Sequence, residues 1–85
     1  MKIILSPRAE KDLKKLPKIA QIAASRKIRQ LVNPLAQEEK LTGFPNIYRV
    51  RIGDFRIVFR RTVNEIYIIL IGHRKDVYNL LKRLF

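Results

Sequence analysis

The 85-residue chain has no cysteine, which excludes disulfides, cysteine metal ligands and cysteine nucleophiles outright. It has a single histidine, His73, which argues against a structural zinc site. No apolar run approaches the ~20 residues of a membrane-spanning helix. The opening Met1-Lys-Ile-Ile-Leu-Ser-Pro7 is too short for a secretory leader and passes straight into a helix start, so a cytoplasmic protein is expected. Repeats and low-complexity tracts are absent. Acid is scarce: seven Asp and Glu face nineteen Lys and Arg, a formal net charge of +12.

That excess points to polyanionic partners, which such a surface attracts through phosphate neutralisation and counterion release. An anionic membrane fits less well, because no helix is both long and suitably amphipathic. The length suits one domain over residues 1–85, and a chain this short buries only ~60% of its unfolded surface. The core is therefore thin, and function belongs on a surface or in a shallow groove. A hydrophobic fraction of 47% is that of a folded protein.

Residues 2–5 read as a short buried strand. Ser6-Pro7 is a helix start, with Ser6 as the N-cap and Pro7 in the first position. Ala9, Leu13 and Leu16 recur at helical spacing until Pro17. A second helix is expected over 18–36, with Ala20, Ala24, Ile28, Leu31 and Leu35 on one face and Lys18, Arg26, Lys27 and Arg29 mostly off it. The basic residues of this helical hairpin read first as a solvated face. Residues 37–47 form a loop, punctuated by Gly43 and Pro45. Strands follow at 47–52, 55–61 and 65–72. A terminal helix over 74–85 carries Val77, Leu80, Leu81 and Leu84. The expected fold is α+β: a strand and helical hairpin on one face of a mainly antiparallel sheet, in the order β-α-α-β-β-β-α.

Gly53-Asp54 suggests a two-residue hairpin turn with glycine first. It pairs Ile52 with Phe55, Arg51 with Arg56, Val50 with Ile57 and Tyr48 with Phe59. Alternation then puts Tyr48, Val50, Ile52, Phe55, Ile57 and Phe59 on one apolar face that packs on the helices. The opposite face carries Arg49, Arg51, Arg56, Val58 and Arg60. A two-residue loop at Val63-Asn64 or a four-residue loop over 62–65 pairs Arg61 with Ile66, so Arg56 faces Ile71 and His73 continues the arginine face; a three-residue loop would flip that strand and put His73 elsewhere. The run Ile66 to Ile71 suits a central strand buried on both sides. Arg51 opposite Arg56 is costly for a strand pair, and Asp54, the only nearby acid, is explained by the turn. Ordinary exposed arginines on a one-sided sheet would also give this pattern. An unneutralised row ending in the lone histidine points further, to a site for a phosphate chain.

The segments Tyr48-Arg-Val-Arg-Ile-Gly-Asp-Phe-Arg-Ile-Val-Phe59 and Ile71-Gly-His-Arg-Lys-Asp-Val-Tyr78, with the lead-in Leu41-Thr-Gly-Phe44, resemble the RelE/ParE toxin superfamily. The resemblance covers essentially the whole chain. It implies a RelE-like fold and a toxin of a type II toxin–antitoxin pair. RelE-type members cut mRNA in the ribosomal decoding site, whereas ParE-type members inhibit DNA gyrase on the same fold. By the match, basic site positions fall on Arg49 and Arg51, the transition-state arginine on Arg56, a second arginine on Arg74 and the tyrosine on Tyr78. Arg60 adds a further RNA contact on the same face.

RelE-type proteins carry lysines where this chain has Arg49 and Arg51, and arginine cannot act as a base. His73 is the natural substitute, and Glu38 or Glu39 is the alternative, since some relatives use a glutamate. The implied reaction needs neither metal nor cofactor: the 2′-hydroxyl attacks the adjacent phosphorus and expels the 5′-oxygen. The implied partners are mRNA, the ribosome and an acidic, partly disordered antitoxin that neutralises the basic surface. Three other readings stay open: a gyrase-inhibiting toxin, a non-catalytic RNA-binding domain and a relative that has lost activity. Against the RNA-binding domain, Tyr48, Phe55 and Phe59 fall on the core face, where no base can stack.

Overall fold

The computed structural model describes residues 1–33 and 39–84. Its elements are β1 (Lys2–Leu5), α1 (Pro7–Lys15), α2 (Lys18–Gln30), β2 (Glu39–Lys40), β3 (Ile47–Ile52), β4 (Phe55–Arg61), β5 (Glu65–His73) and α3 (Val77–Leu84). The five strands lie in the order β1-β5-β4-β3-β2. β1 runs parallel to β5, and every other pair is antiparallel.

The helical hairpin starts as its sequence dictates. Ser6 Oγ accepts from the Ala9 backbone N–H at 2.9 Å, and Pro7 occupies the first turn. The same hydroxyl donates to the Ile69 carbonyl of β5 at 2.6 Å, so the cap also ties α1 to the sheet. Asp12, one turn further on, accepts from the Ile71 N–H at 3.0 Å. β1 ends at Leu5, so these two side chains take up backbone groups of β5 beyond that strand.

α2 is shorter than its apolar periodicity suggests. It ends at Gln30 instead of 36, and Arg61 donates to the Leu31 carbonyl at 3.1 Å just past its end. Leu35 and Glu38 lie outside the described residues. The span expected to be only loop holds the short strand β2, whose Glu39 and Lys40 pair with Arg49 and Tyr48. α3 begins at Val77 instead of 74, because residues 74–76 form a turn. There the Arg74 N–H donates to the Asp54 carbonyl at 2.9 Å and the Asp76 N–H to the His73 carbonyl at 2.8 Å.

The β3–β4 register agrees with the hairpin reading at every pair. Gly53 has φ +58°, the left-handed geometry that glycine reaches without strain. Val50, Ile57, Phe59, Ile66, Ile68 and Ile71 point to α1 and α2, where they meet Ala9, Leu16, Ala24, Ile28 and Leu31. Tyr48 and Phe59 stack across the strands at 5.9 Å between centroids. The outer face is not wholly open. Val77 and Leu81 of α3 pack there with Ile47, Val58, Ile69 and Leu70, and Val58 is fully buried.

One register expectation fails. Arg61 pairs with Ile66 as expected, but Phe59 pairs with Ile68 and Val58 with Leu70, so Ile69 is an extra residue in β5. This β-bulge turns both Ile69 and Leu70 to the α3 side. Beyond it every pairing moves by one: Arg56 faces Gly72, not Ile71, and His73 faces Phe55. A one-residue slip sends each side chain to the other face. His73 therefore leaves the arginine face for the helix-side face.

Candidate active site

Two cross-strand rows on the outer face build the site. The first runs from Glu39 on β2 through Arg49 and Val58 to Leu70. The second runs from Arg51 through Arg56 to Gly72. Arg74 is held beside the second row by its backbone bond to the Asp54 carbonyl in the β3–β4 turn. Tyr78, in the first turn of α3, lies half-exposed with the Arg49 guanidinium 5.8 Å from its ring centroid.

Four guanidinium groups thus converge on one patch. Burial holds the pKa of Arg56 below the ordinary arginine value, and repulsion from Arg51, Arg49 and Arg74 lowers it further. Glu39 acts in the opposite sense. Arg56 stays protonated under any physiological condition, so the shift matters as a sign of concentrated positive charge. Backbone dipoles of the turn relieve part of it. Arg51 Nε donates to the Gly53 carbonyl at 3.3 Å, and Arg56 Nη1 donates to the Gly53 and Phe55 carbonyls at 3.1 and 3.0 Å.

Asp54 is not the only nearby acid. Glu39 Oε2 accepts from Arg49 Nη2 at 2.9 Å and from Nε at 3.2 Å, with its own side chain largely exposed. A carboxylate therefore stands at the margin of the arginine cluster. The sequence named Glu39 as an alternative base but gave it no place, because two charged residues between loop signals carry no strand pattern. Gly72 was not singled out at all. A Cβ there would come within 3.2 Å of the Leu80 side chain, so the bare glycine gives α3 room to close over the strand opposite Arg56.

The structure brings Arg49, Arg51, Arg56, Arg74 and Tyr78 together. It does not bring His73 to them. That ring packs edge-on to Phe55 at 6.0 Å, and its Nδ1 accepts from the Lys75 N–H at 3.2 Å. Arg60 is on the outer face but outside the cluster. It stands over the Tyr67 ring at 5.4 Å and lines a separate cavity of about 240 Å³ with Arg8 and Leu84.

The chain is thus a sheet with a helical hairpin on one side and an arginine cluster on the other, and comparison with known proteins shows its class. The model of the family described as "ParE toxin of type II toxin-antitoxin system, parDE" matches residues 3–78. Toxin RelE3 of Methanocaldococcus jannaschii is 29% identical, over 93% of this chain and 97% of that protein. The toxin in the RelB–RelE antitoxin–toxin complex from Methanococcus jannaschii superposes with a TM-score of 0.76 at 24% identity, covering 91% of this chain and 96% of that one. The isolated E. coli RelE toxin superposes with a TM-score of 0.71 at 24% identity, covering 98% and 97%. The chain belongs to this ParE toxin family of type II toxin–antitoxin systems, within the RelE/ParE superfamily.

Proposed function

We propose that this toxin is a RelE-type endoribonuclease that cuts mRNA in the decoding site of the ribosome. The observation that carries the reading is the convergence of Arg49, Arg51, Arg56 and Arg74 with Tyr78 on one open patch, bordered by the carboxylate of Glu39. Arg51, Arg56 and Arg74 bind the scissile phosphate and stabilise the charge that builds on its oxygens. Arg49 positions Glu39 and Tyr78, both of which it touches. Glu39 takes the proton of the 2′-hydroxyl as its oxygen bonds to phosphorus. The bond from phosphorus to the 5′-oxygen breaks, and that oxygen is protonated from solvent. The products are a 2′,3′-cyclic phosphate and a free 5′-hydroxyl. Tyr78, exposed at the edge of the patch, stacks on a base or orients the attacking group.

His73 has no part in this arrangement, since it sits on the other face of the sheet. Nor does Arg60. Among the described residues the arginines are not flanked by a complete acid–base pair, which fits an enzyme whose substrate is arranged by the ribosome. No metal or cofactor enters the chemistry.

The proposed partners are mRNA, the ribosome and a cognate acidic antitoxin, and the proposed location is the cytoplasm. Several of the similar toxins were solved bound to RelB antitoxins, which supports the antitoxin. Among the described residues no helix is long and apolar enough to cross a membrane. The family description, ParE, favours a second reading as a gyrase inhibitor. Induced expression followed by primer extension on a reporter message separates the two. Discrete new 5′ ends inside the coding sequence are expected. An intact message, with gyrase-dependent loss of supercoiling, would establish the second reading.

A further inference from the structure

The four basic residues of α2 all lie outside the site described above, and two of them share a groove. Arg26 and Lys27 are on the α2 surface, with Gln30 one turn on. They line an open groove of about 330 Å³, whose opposite wall is Arg51, Ile52 and Gly53 at the end of β3. No carboxylate lines the groove among the described residues. β2 covers β3 only at Tyr48 and Arg49, so the edge beside Arg51 has no neighbouring strand among the described residues. Arg51 rises from the outer face, opposite Arg56, and also lines this groove at the sheet edge. Its guanidinium thus belongs to both.

We propose that the groove between α2 and the end of β3 carries the RNA strand onward from the arginine cluster, with Arg26 and Lys27 binding phosphates that flank the one held by Arg56. This rests on the RNA-cleaving reading of the cluster. Three cations without a lining carboxylate make a phosphate-binding surface by charge alone. What favours RNA over an acidic peptide is continuity. A strand whose phosphate lies between Arg51 and Arg56 needs only to pass the uncovered β3 edge to reach Arg26 and Lys27. Opposite them, Ile52 offers apolar surface and Gly53 bare backbone, with Gln30 as the groove's neutral polar side chain. With three cations in the lining, the groove is expected to track the backbone and add length dependence.

The test uses the intact toxin and 2′-O-methyl oligoribonucleotides, which the attack chemistry cannot cut. Binding of a trimer and of a long single strand is measured across salt concentrations for the wild type, for R26A/K27A, for R74A and for K14A/K15A. The last removes two exposed charges from α1, away from the groove, with thermal unfolding as the fold control. The wild type is expected to bind the long strand more tightly than the trimer. R26A/K27A is expected to lose about tenfold on the long strand and nothing on the trimer. Its salt slope on the long strand falls in magnitude by about 1.4, two phosphates at ~0.7 each. K14A/K15A keeps the length preference.

Equal loss in K14A/K15A and R26A/K27A would reduce the effect to net charge and overturn the proposal. So would wild-type RNA binding in R26A/K27A, including the case where that variant has lost affinity only for a polyglutamate peptide. Either result leaves the arginine cluster standing as long as R74A weakens the trimer. Trimer binding unchanged in R74A would instead remove the cluster as a phosphate site, and with it the groove as its extension.

Discussion

Arg56 stands opposite Gly72 across the β4–β5 ladder. The bulge at Ile69 sets that pairing, and it carries His73, one residue on, to the face beneath. The first expectation follows. His73→Gln leaves the single-turnover rate on programmed ribosomes, and its pH profile, as in the wild type. A flattened profile in this variant would return His73 to the chemistry and contradict the assignment of faces.

Glu39 is expected to behave in the opposite way. Its carboxylate is the group placed to take the 2′-hydroxyl proton. Glu39→Gln keeps the size of the side chain and an acceptor for Arg49 but removes the base. The rate is expected to drop ~10²–10⁴-fold. The measurement is single-turnover cleavage on programmed ribosomes. A Glu39→Gln variant that cleaves nearly as fast as the wild type would show that Glu39 only orients Arg49.

The seam between α1 and β5 should show in stability. Ser6→Ala removes a helix cap and leaves the Ile69 carbonyl without its hydroxyl donor. Lost caps cost ~0.5–2 kcal/mol, and a buried group left without a partner costs ~1–3 kcal/mol. A net loss of about 2 kcal/mol is expected, which lowers the Tm of a domain this small by roughly 10 °C. Thermal unfolding by circular dichroism measures it. An unchanged Tm would mean that the hydroxyl does not hold the two elements together.

The arginine cluster should be a cost to the fold. Arg56 is desolvated and repelled by Arg51, Arg49 and Arg74. Like charges opposite one another destabilise a strand pair by ~0.2–1 kcal/mol. Arg56→Thr is therefore expected to raise the Tm by a few degrees, while Arg51 keeps its bond to the Gly53 carbonyl. Salt screens the repulsion, so the gain shrinks as salt is added. A variant less stable than the wild type at low salt would show that the bonds of Arg56 to the turn outweigh the repulsion.

Much of this was legible in the residues, for reasons that also explain the failures. Strict alternation in β3 and β4 on either side of Gly53-Asp54 allows only one register, and the apolar and arginine faces follow from it. Ser6-Pro7 marks its helix start by chemistry found at few other places in a chain. β5 is different. Its run of consecutive apolar residues is buried on both faces, so no alternation exists to betray an extra residue at Ile69. A bulge there is invisible in sequence, yet it decides the side on which His73 falls. β2 escaped because two charged residues make no strand pattern, and without β2 Glu39 had no partner. The apolar spacing of the last segment shows a terminal helix, but neither its start at Val77 nor that α3 covers part of the outer face.

The central claim is that Arg56 contacts the scissile phosphate chiefly as charge develops on it. The direct test is single-turnover cleavage and ribosome affinity for Arg56→Ala beside Arg60→Ala. Loss of one such donor typically costs ~10²–10³ in rate. Arg56→Ala is expected to lose that much with affinity little changed, and Arg60→Ala to cleave as the wild type does. Normal cleavage by Arg56→Ala, with weakened binding, would reduce the arginine face to a docking surface and contradict the mechanism.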